Sequence, residues 1–353
     1  MFLELSEREL IHTLTNNHNL VITLVNYEER SVALLERLAK ESIIDQNQVS
    51  LCLLELTSAT YKIDVLGALK RIHRDQVNRA GFQCVPAPLE YPGSSGLDPL
   101  RSKVKTLIES CEKDRFNIVV DISCLPKTLM YTLFDTIYSE TLWKELAGRI
   151  ENIIVIYTTA GSYPSSRYAQ VVGTPIGYFH DEELAKVVYG KDKVEAVIFP
   201  GFEGFDSAAV YEALTRSGVR TKTRLIFFID GYNFTKVQRA MIANQLLIHL
   251  ASQRRDTFID YCFSFFDGME MINNIADDFV RQTAASGEKL FLVVPFGPKP
   301  LTLASWIAYK RLTLSGVGAE MAHVSGFQYT SVYSIGKGNM LSFQLPSLTD
   351  LQG

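Results

Sequence analysis

No apolar run in the 353 residues is long enough to span a bilayer. The N-terminal MFLELSERELIHTLTNNHN carries early acids and no apolar signal core, so a secretory leader is not expected. Cysteine is scarce. Cys52, Cys84, Cys111, Cys124 and Cys262 form no CxxC pair, which excludes a zinc ribbon and a thioredoxin motif and leaves buried, reduced thiols as the expectation. The charge balance is equally plain. A net charge of -4 excludes a broad phosphate-neutralising surface, so nonspecific duplex binding is not expected. GxxxxGK[ST], GxGxxG after the first strand and GxSxG are all missing. The six histidines form neither HxH nor HExxH, so no metal site and no cofactor are expected. His249, on an apolar helix, is expected to pack in the core. The expected location is the cytoplasm.

What is present is a regular alternation of apolar, β-branched runs with amphipathic stretches, the pattern of βα units around a mostly parallel sheet. Strands are predicted at Leu20–Val25, Val49–Leu56, Phe82–Pro86, Phe116–Ser123 and Glu151–Thr159, with helices near Ser31–Lys40, near Tyr61–Ala80 and after Pro99 and Pro126. The pattern restarts at Val194 with VEAVIF, LIFFID, YCFSFF, LFLVVP and AEMAHVS. SIGKGN, Ser334 to Asn339, reads as a tight hairpin with a solvated Lys337.

Polar residues just beyond the strands repeat as well. Glu28 and Glu203, Lys62 and Lys236, and Lys127 and Lys299 stand 175, 174 and 172 positions apart. The fold expectation is therefore α/β: two tandem Rossmann-like units with mostly parallel sheets, related by internal duplication. The N-terminal half covers 1–173, a connection 174–192, and the C-terminal half 193–353.

Ligands of open parallel sheets bind beyond the carboxyl ends of the strands. DISCLPKT, Asp121 to Thr128, ends a strand in Asp121, offers Ser123 as an N-cap or ligand group, and opens a helix with Pro126 and Lys127. A cation at a helix N-terminus is unfavourable unless something anionic offsets it. FGPKPLT repeats the design with Gly297, Lys299 and Thr302. An anion site and two ordinary helix starts with solvated lysines fit this pattern equally. Glu28 and Glu203 follow the first strand of each half, where a carboxylate can accept from a ribose or simply complement a helix dipole. Arg30 has no basic counterpart in the second half. Arg167, in TTAGSYPSSRY, and Asp230, Asn233 and Lys236, in IDGYNFTK, complete the candidate binding residues with Thr128.

VVDISCLPKTLM resembles the ligand motif of CRISPR-associated Rossmann-fold (CARF) sensor domains, Asp-[Leu/Ile]-Thr-Gly-Gly-Thr-Lys at the fourth strand–helix junction. Asp121, Ile122, Ser123 and Lys127 match in type, while Cys124 and Leu125 stand in place of the glycine pair. The fused pair of halves is similar to the related SAVED sensors. The resemblance implies a nucleotide or cyclic oligonucleotide ligand, held where the halves meet, in bacterial antiviral defence. It also implies a separate effector protein, because two halves occupy the chain. Two other readings stand beside the sensor: an enzyme on a phosphorylated or nucleotide substrate with Asp121 or Asp230 as acid–base, and a ligand-free scaffold subunit.

Overall fold

The computed structural model describes residues 3–26, 28–40, 44–57, 64–79, 84–90, 97–109, 111, 113–146, 148–162, 174–178, 182–201, 204–229, 234–283, 288–325 and 335–352. The side chains of residues 40, 46, 56–57, 64–69, 79, 84–90, 97–100, 234–236, 283, 325, 335 and 352 fall outside that description. In chain order the elements are β1 (Leu3–Glu4), α1 (Glu7–Asn16), β2 (His18–Leu24), α2 (Ala33–Lys40), β3 (Val49–Thr57), α3 (Asp64–Arg79), β4 (Cys84–Glu90), α4 (Leu97–Glu109), β5 (Phe116–Asp121), α5 (Lys127–Ile137), α6 (Glu140–Leu146) and β6 (Ile150–Ser162). There follow β7 (Thr174–Gly177), β8 (Glu182–Glu183), α7 (Leu184–Val188), β9 (Lys193–Phe199), α8 (Gly204–Arg216), β10 (Thr221–Phe228), α9 (Phe234–Ala243), α10 (Gln245–Ser252) and β11 (Thr257–Cys262). The chain closes with α11 (Phe265–Thr283), β12 (Lys289–Pro295), α12 (Lys299–Leu314), β13 (Ala319–Ser325), β14 (Ile335–Leu345) and α13 (Leu348–Gln352).

Two compact units result. The first comprises 1–167 with 330–351, and the second comprises 168–329. The first sheet runs β1-β14-β6-β5-β2-β3-β4; β6, β5, β2, β3 and β4 are parallel, and β14 is antiparallel to β6 and to β1. Its strand order reverses between β2 and β5. These central strands are buried on both faces: every residue of β5, and every residue of β2 after His18, is buried. Near-continuous apolar runs are what helices on both faces of a parallel sheet require. The α1 helix begins at a capping box in which Ser6 and Glu9 cap each other's backbone N–H.

The second sheet runs β11-β10-β9-β12-β13-β7-β8, with β11 to β13 parallel and β7 antiparallel to both neighbours. Its order reverses between β9 and β12. The segment 174–192, expected as a connection, supplies β7, β8 and α7 to this second unit, while β14 belongs to the first sheet. SIGKGN is not a hairpin: from Ile335 onward it is the start of β14, and a register shift lies between Lys337 and Met340. Gly336 has φ 71°, and a Cβ on Gly338 would lie 2.2 Å from Thr159 Oγ1, so both positions favour glycine. Lys337 pairs with Glu36 at 2.5 Å. The described cysteines, Cys52, Cys111, Cys124 and Cys262, are free and buried. His249, by contrast, is exposed and bonded to Gln253 at 3.0 Å, because it falls on the outer face of α10.

Candidate site at the strand ends of the first unit

Beyond β2 the chain turns at Asn26, whose side-chain oxygen accepts from the Glu28 N–H at 2.7 Å. The Asn26 carbonyl accepts from Nδ1 of buried His73 on α3 at 2.8 Å. A single 3-10 turn, Glu29–Val32, then brings Arg30 back under the strand end. Arg30 donates through Nε to Glu28 Oε2 at 2.9 Å, and its second terminal nitrogen lies 2.9 Å from the same oxygen. The exposures of Arg30 and Glu28 are 2% and 8%, which makes this a buried ion pair. Its other terminal nitrogen donates to the Thr158 carbonyl on β6 at 3.5 Å.

Beyond β5, Asp121 is buried and accepts from the Ser123 N–H at 2.9 Å, from the Ser123 hydroxyl, and from Thr23 Oγ1 of β2 at 3.4 Å. Ser123 Oγ in turn accepts from the Thr158 N–H at 2.8 Å. Thr158 is thus held at both backbone groups, and its own hydroxyl is buried without a hydrogen-bond partner in the structure. The switch point of the first sheet therefore carries one connected polar network: Asn26, Glu28 and Arg30 on one side, Asp121 and Ser123 on the other, and Thr158 between them. It lies at the place where open α/β sheets leave a crevice.

Ser123 is not an N-cap. The N-cap of α5 is Pro126, which makes no side-chain cap hydrogen bond, and no acid stands in its first turn. Lys127 is the first helical residue, and it and Thr128 are half-buried. The first amides of a helix have no intrahelical acceptors and carry the positive end of its dipole. The site residues Glu28, Asp121, Ser123, Lys127 and Thr128 thus fall on two loops that flank one switch point.

The second unit is built differently at the matching place. The register that pairs Lys127 with Lys299 puts Val293 and Pro295 where Asp121 and Ser123 stand. Phe296 follows, and its carbonyl would lie 2.3 Å from a Cβ on Gly201, so glycine is required for the close approach of the two strand-end loops. Gly297 packs beside Phe199, Lys299 is half-buried at the start of α12, and Thr302 is fully buried with its hydroxyl 3.4 Å from the Pro298 carbonyl. Glu203, Asp230, Asn233 and Arg167, and the side chain of Lys236, lie outside the described residues.

Sequence reasoning did not select Thr23, His73 or Thr158 and noted Arg30 only as an asymmetry. Thr23 and Thr158 left a faint signal, as hydroxyls interrupting apolar strand ends; His73 left none. A shallow groove elsewhere, lined by Asp277, Arg281, Arg311 and Ser315, lies at the C-terminal ends of α11 and α12. Those ends lead into the starts of strands, so the groove is at the edge of the second sheet opposite its strand ends. Arg311 crosses it to Asp277 and Asn273, at 3.0 Å each.

Among the described residues, no group of three His, Cys, Asp or Glu could hold a metal ion, and no helix is long and apolar enough to cross a membrane. Fold and geometry define a Rossmann-like α/β protein with two mostly parallel sheets, the first of which carries a buried polar network at its switch point. No model of a known protein family matches the chain, and no match is found among curated proteins.

Proposed function

We propose that the first unit binds a phosphate-bearing nucleotide, of the cyclic oligonucleotide kind, at the carboxyl edge of its sheet, and that the chain is a sensing subunit acting through a separate effector protein in bacterial defence or signalling. The observation that carries this reading is the network from Glu28 through Thr158 to Asp121, lying beside the N-terminus of α5, which begins with Lys127. Burying an ion pair costs several kcal/mol of desolvation per ion and is a weak source of stability, so its value lies in fixing the loops. A helix N-terminus and a lysine beside it both attract an anion.

Roles divide by burial. Lys127 and Thr128, half-buried at the loop mouth, contact phosphate. Asp121 and Ser123, buried and bonded inward, hold the loop; Asp121 in this position serves the turn rather than proton transfer. Glu28 and Arg30 hold the opposite loop. Among the described residues, Val293 and Pro295 give the second unit no counterpart of Asp121 and Ser123, which favours ligand binding by the first unit. The common strand order of the two sheets supports an internal duplication in which one copy retains the site.

The test is thermal unfolding of the purified chain with ATP, cyclic dinucleotides and cyclic oligoadenylates. A ligand at a hundredfold excess over its Kd stabilises the fold by about 2.7 kcal/mol. One of these ligands is expected to raise the Tm of the wild type and of Lys299→Ala equally, and that of Lys127→Ala much less. No shift with any of them, or an undiminished shift in Lys127→Ala, contradicts the reading.

A further inference from the structure

Each sheet ends in two edge strands, and an edge offers unpaired N–H and C=O groups to any passing strand unless the sequence blunts it. Three of the four edges are blunted. β1 and β8 are two residues long, and β8 consists of two exposed glutamates. β4 contains Pro86 and Pro88, and proline in a sheet sits where its missing N–H faces outward. β11 is neither short nor interrupted by proline, and Asp260 is its one charged residue. It runs six residues, TFIDYC, without proline or glycine, and pairs only with β10 among the described residues. Phe258, Tyr261 and the following Phe263 are 42%, 45% and 67% exposed, three large aromatic rings on or beside one open edge.

We propose that β11 pairs antiparallel with β11 of a second copy of this chain, joining two second sheets edge to edge. The backbone fixes which residues take part. The Asp256 carbonyl accepts from Thr223 N–H, and the Cys262 carbonyl accepts from Ile229 N–H, so the even-numbered positions face β10. The period of two then turns the N–H and C=O groups of Thr257, Ile259 and Tyr261 to the open edge. An antiparallel pair with a two-fold axis perpendicular to the sheet must be centred on a residue.

Charge selects the centre. Arg224 stands beside Phe258 in the β10–β11 register, and the charged ends of Arg224 and Lys222 lie 5.3 and 5.7 Å from the centre of the Phe258 ring. Lys222 is held by Glu195 at 3.0 Å, and Arg224 reaches Asp260 of its own strand at 3.4 Å. A centre on Asp260 would set two carboxylates against each other. A centre on Ile259 sets the second copy's Asp260 opposite Phe258, within reach of Arg224 and Lys222 across the ring. The symmetry repeats the contact in the other direction, as an isologous interface requires. A strand of unrelated sequence would lack the acid at that position, whereas a second copy supplies it.

Sedimentation of the full chain over a wide concentration range tests this. The wild type is expected to reach twice the 39.7 kDa chain mass at high concentration and to weaken with salt. Ile259→Pro removes the central outward N–H and is expected to leave a monomer with an unchanged circular-dichroism spectrum. Asp260→Lys and Arg224→Glu are each expected to be monomeric alone. Mixed together they are expected to form a dimer, because lysine then faces glutamate in one contact and the native pair is kept in the other. A wild type that stays monomeric, a dimer that survives Ile259→Pro, or a mixture that remains monomeric overturns the proposal; a misfolded Ile259→Pro leaves the charge-swapped mixture to decide it.

Discussion

Arg30 and Glu28 form the most consequential contact of the first unit at the scale of single residues. Both are buried, so removing one partner strands the other. Arg30→Ala is expected to cost about 3–5 kcal/mol in urea denaturation, while Arg30→Met combined with Glu28→Leu is expected to cost far less. Equal losses in the single and double variants would contradict a buried pair. His18 gives the molecule a pH dependence of definite sign. Its Nε2 lies 2.8 Å from Ser50 Oγ, and burial, then the nearby Lys113, hold its pKa below the ordinary 6.5. A depressed histidine contributes stability that is complete above pH 6.5 and is lost as pH falls below it toward the folded-state value. His18→Asn is expected to flatten the fall of urea midpoint between pH 6.5 and the acid side; an unchanged profile would assign that fall to other groups. Burial likewise pushes the Cys52 thiol up to about 12, so it carries no thiolate reactivity at neutral pH.

The element whose place matters most is β14. It enters the first sheet between β1 and β6 from the far end of the sequence, and side chains pin it there. Asn117 donates to Asn19 Oδ1 at 2.9 Å, Asn152 donates to Asn117 at 2.9 Å, and Gln344 on β14 donates to Asn152 at 2.8 Å. The ladder crosses β2, β5, β6 and β14, and Asn117 and Asn19 also bind the carbonyls of Thr13 and Leu14 at the end of α1. The Tyr138 hydroxyl donates to the Pro346 carbonyl at 2.6 Å just past β14. A buried amide ladder is satisfied only in one register, so it specifies where the last strand docks. Asn117→Ala leaves buried Asn19 and half-buried Asn152 each short of a partner and is expected to cost about 2–4 kcal/mol in chemical denaturation. A loss under half a kcal/mol would show that the ladder is dispensable.

At the scale of the whole molecule, the two mostly parallel sheets were legible because parallel strands between helices read as short, continuous apolar runs: LVITLV and LFLVVP both declare themselves this way, whereas YCFSFF overlaps β11 only at Tyr261 and Cys262, because Asp260 interrupts the apolar run of that strand and Phe265 already opens α11. The sheet to which β14 and β7 belong was not legible. IGKGNMLSFQL alternates as any edge strand does, TPIG is four residues long, and neither pattern names a partner more than a hundred positions away. The site was half legible for the same reason. Asp121, Ser123 and Lys127 are consecutive in a strand–proline–helix motif, so local chemistry marked them. Thr158 and His73 join the network through contacts of 35 and 47 positions in sequence, which no local pattern encodes. Ser123 was readable as a polar group beyond the strand, but its partner turned out to be the Thr158 amide rather than the helix start.

Calorimetric titration tests most directly whether the first unit holds an anionic nucleotide at the start of α5. The nucleotide that most stabilises the wild type is titrated into Lys127→Ala and Lys299→Ala. Loss of a charge-assisted hydrogen bond of about 1.5–3 kcal/mol predicts roughly ten- to hundredfold weaker binding for Lys127→Ala. Lys299→Ala is predicted to bind as the wild type does. Equal affinities in the two variants, or a loss confined to Lys299→Ala, would contradict the assignment of the site to the first unit.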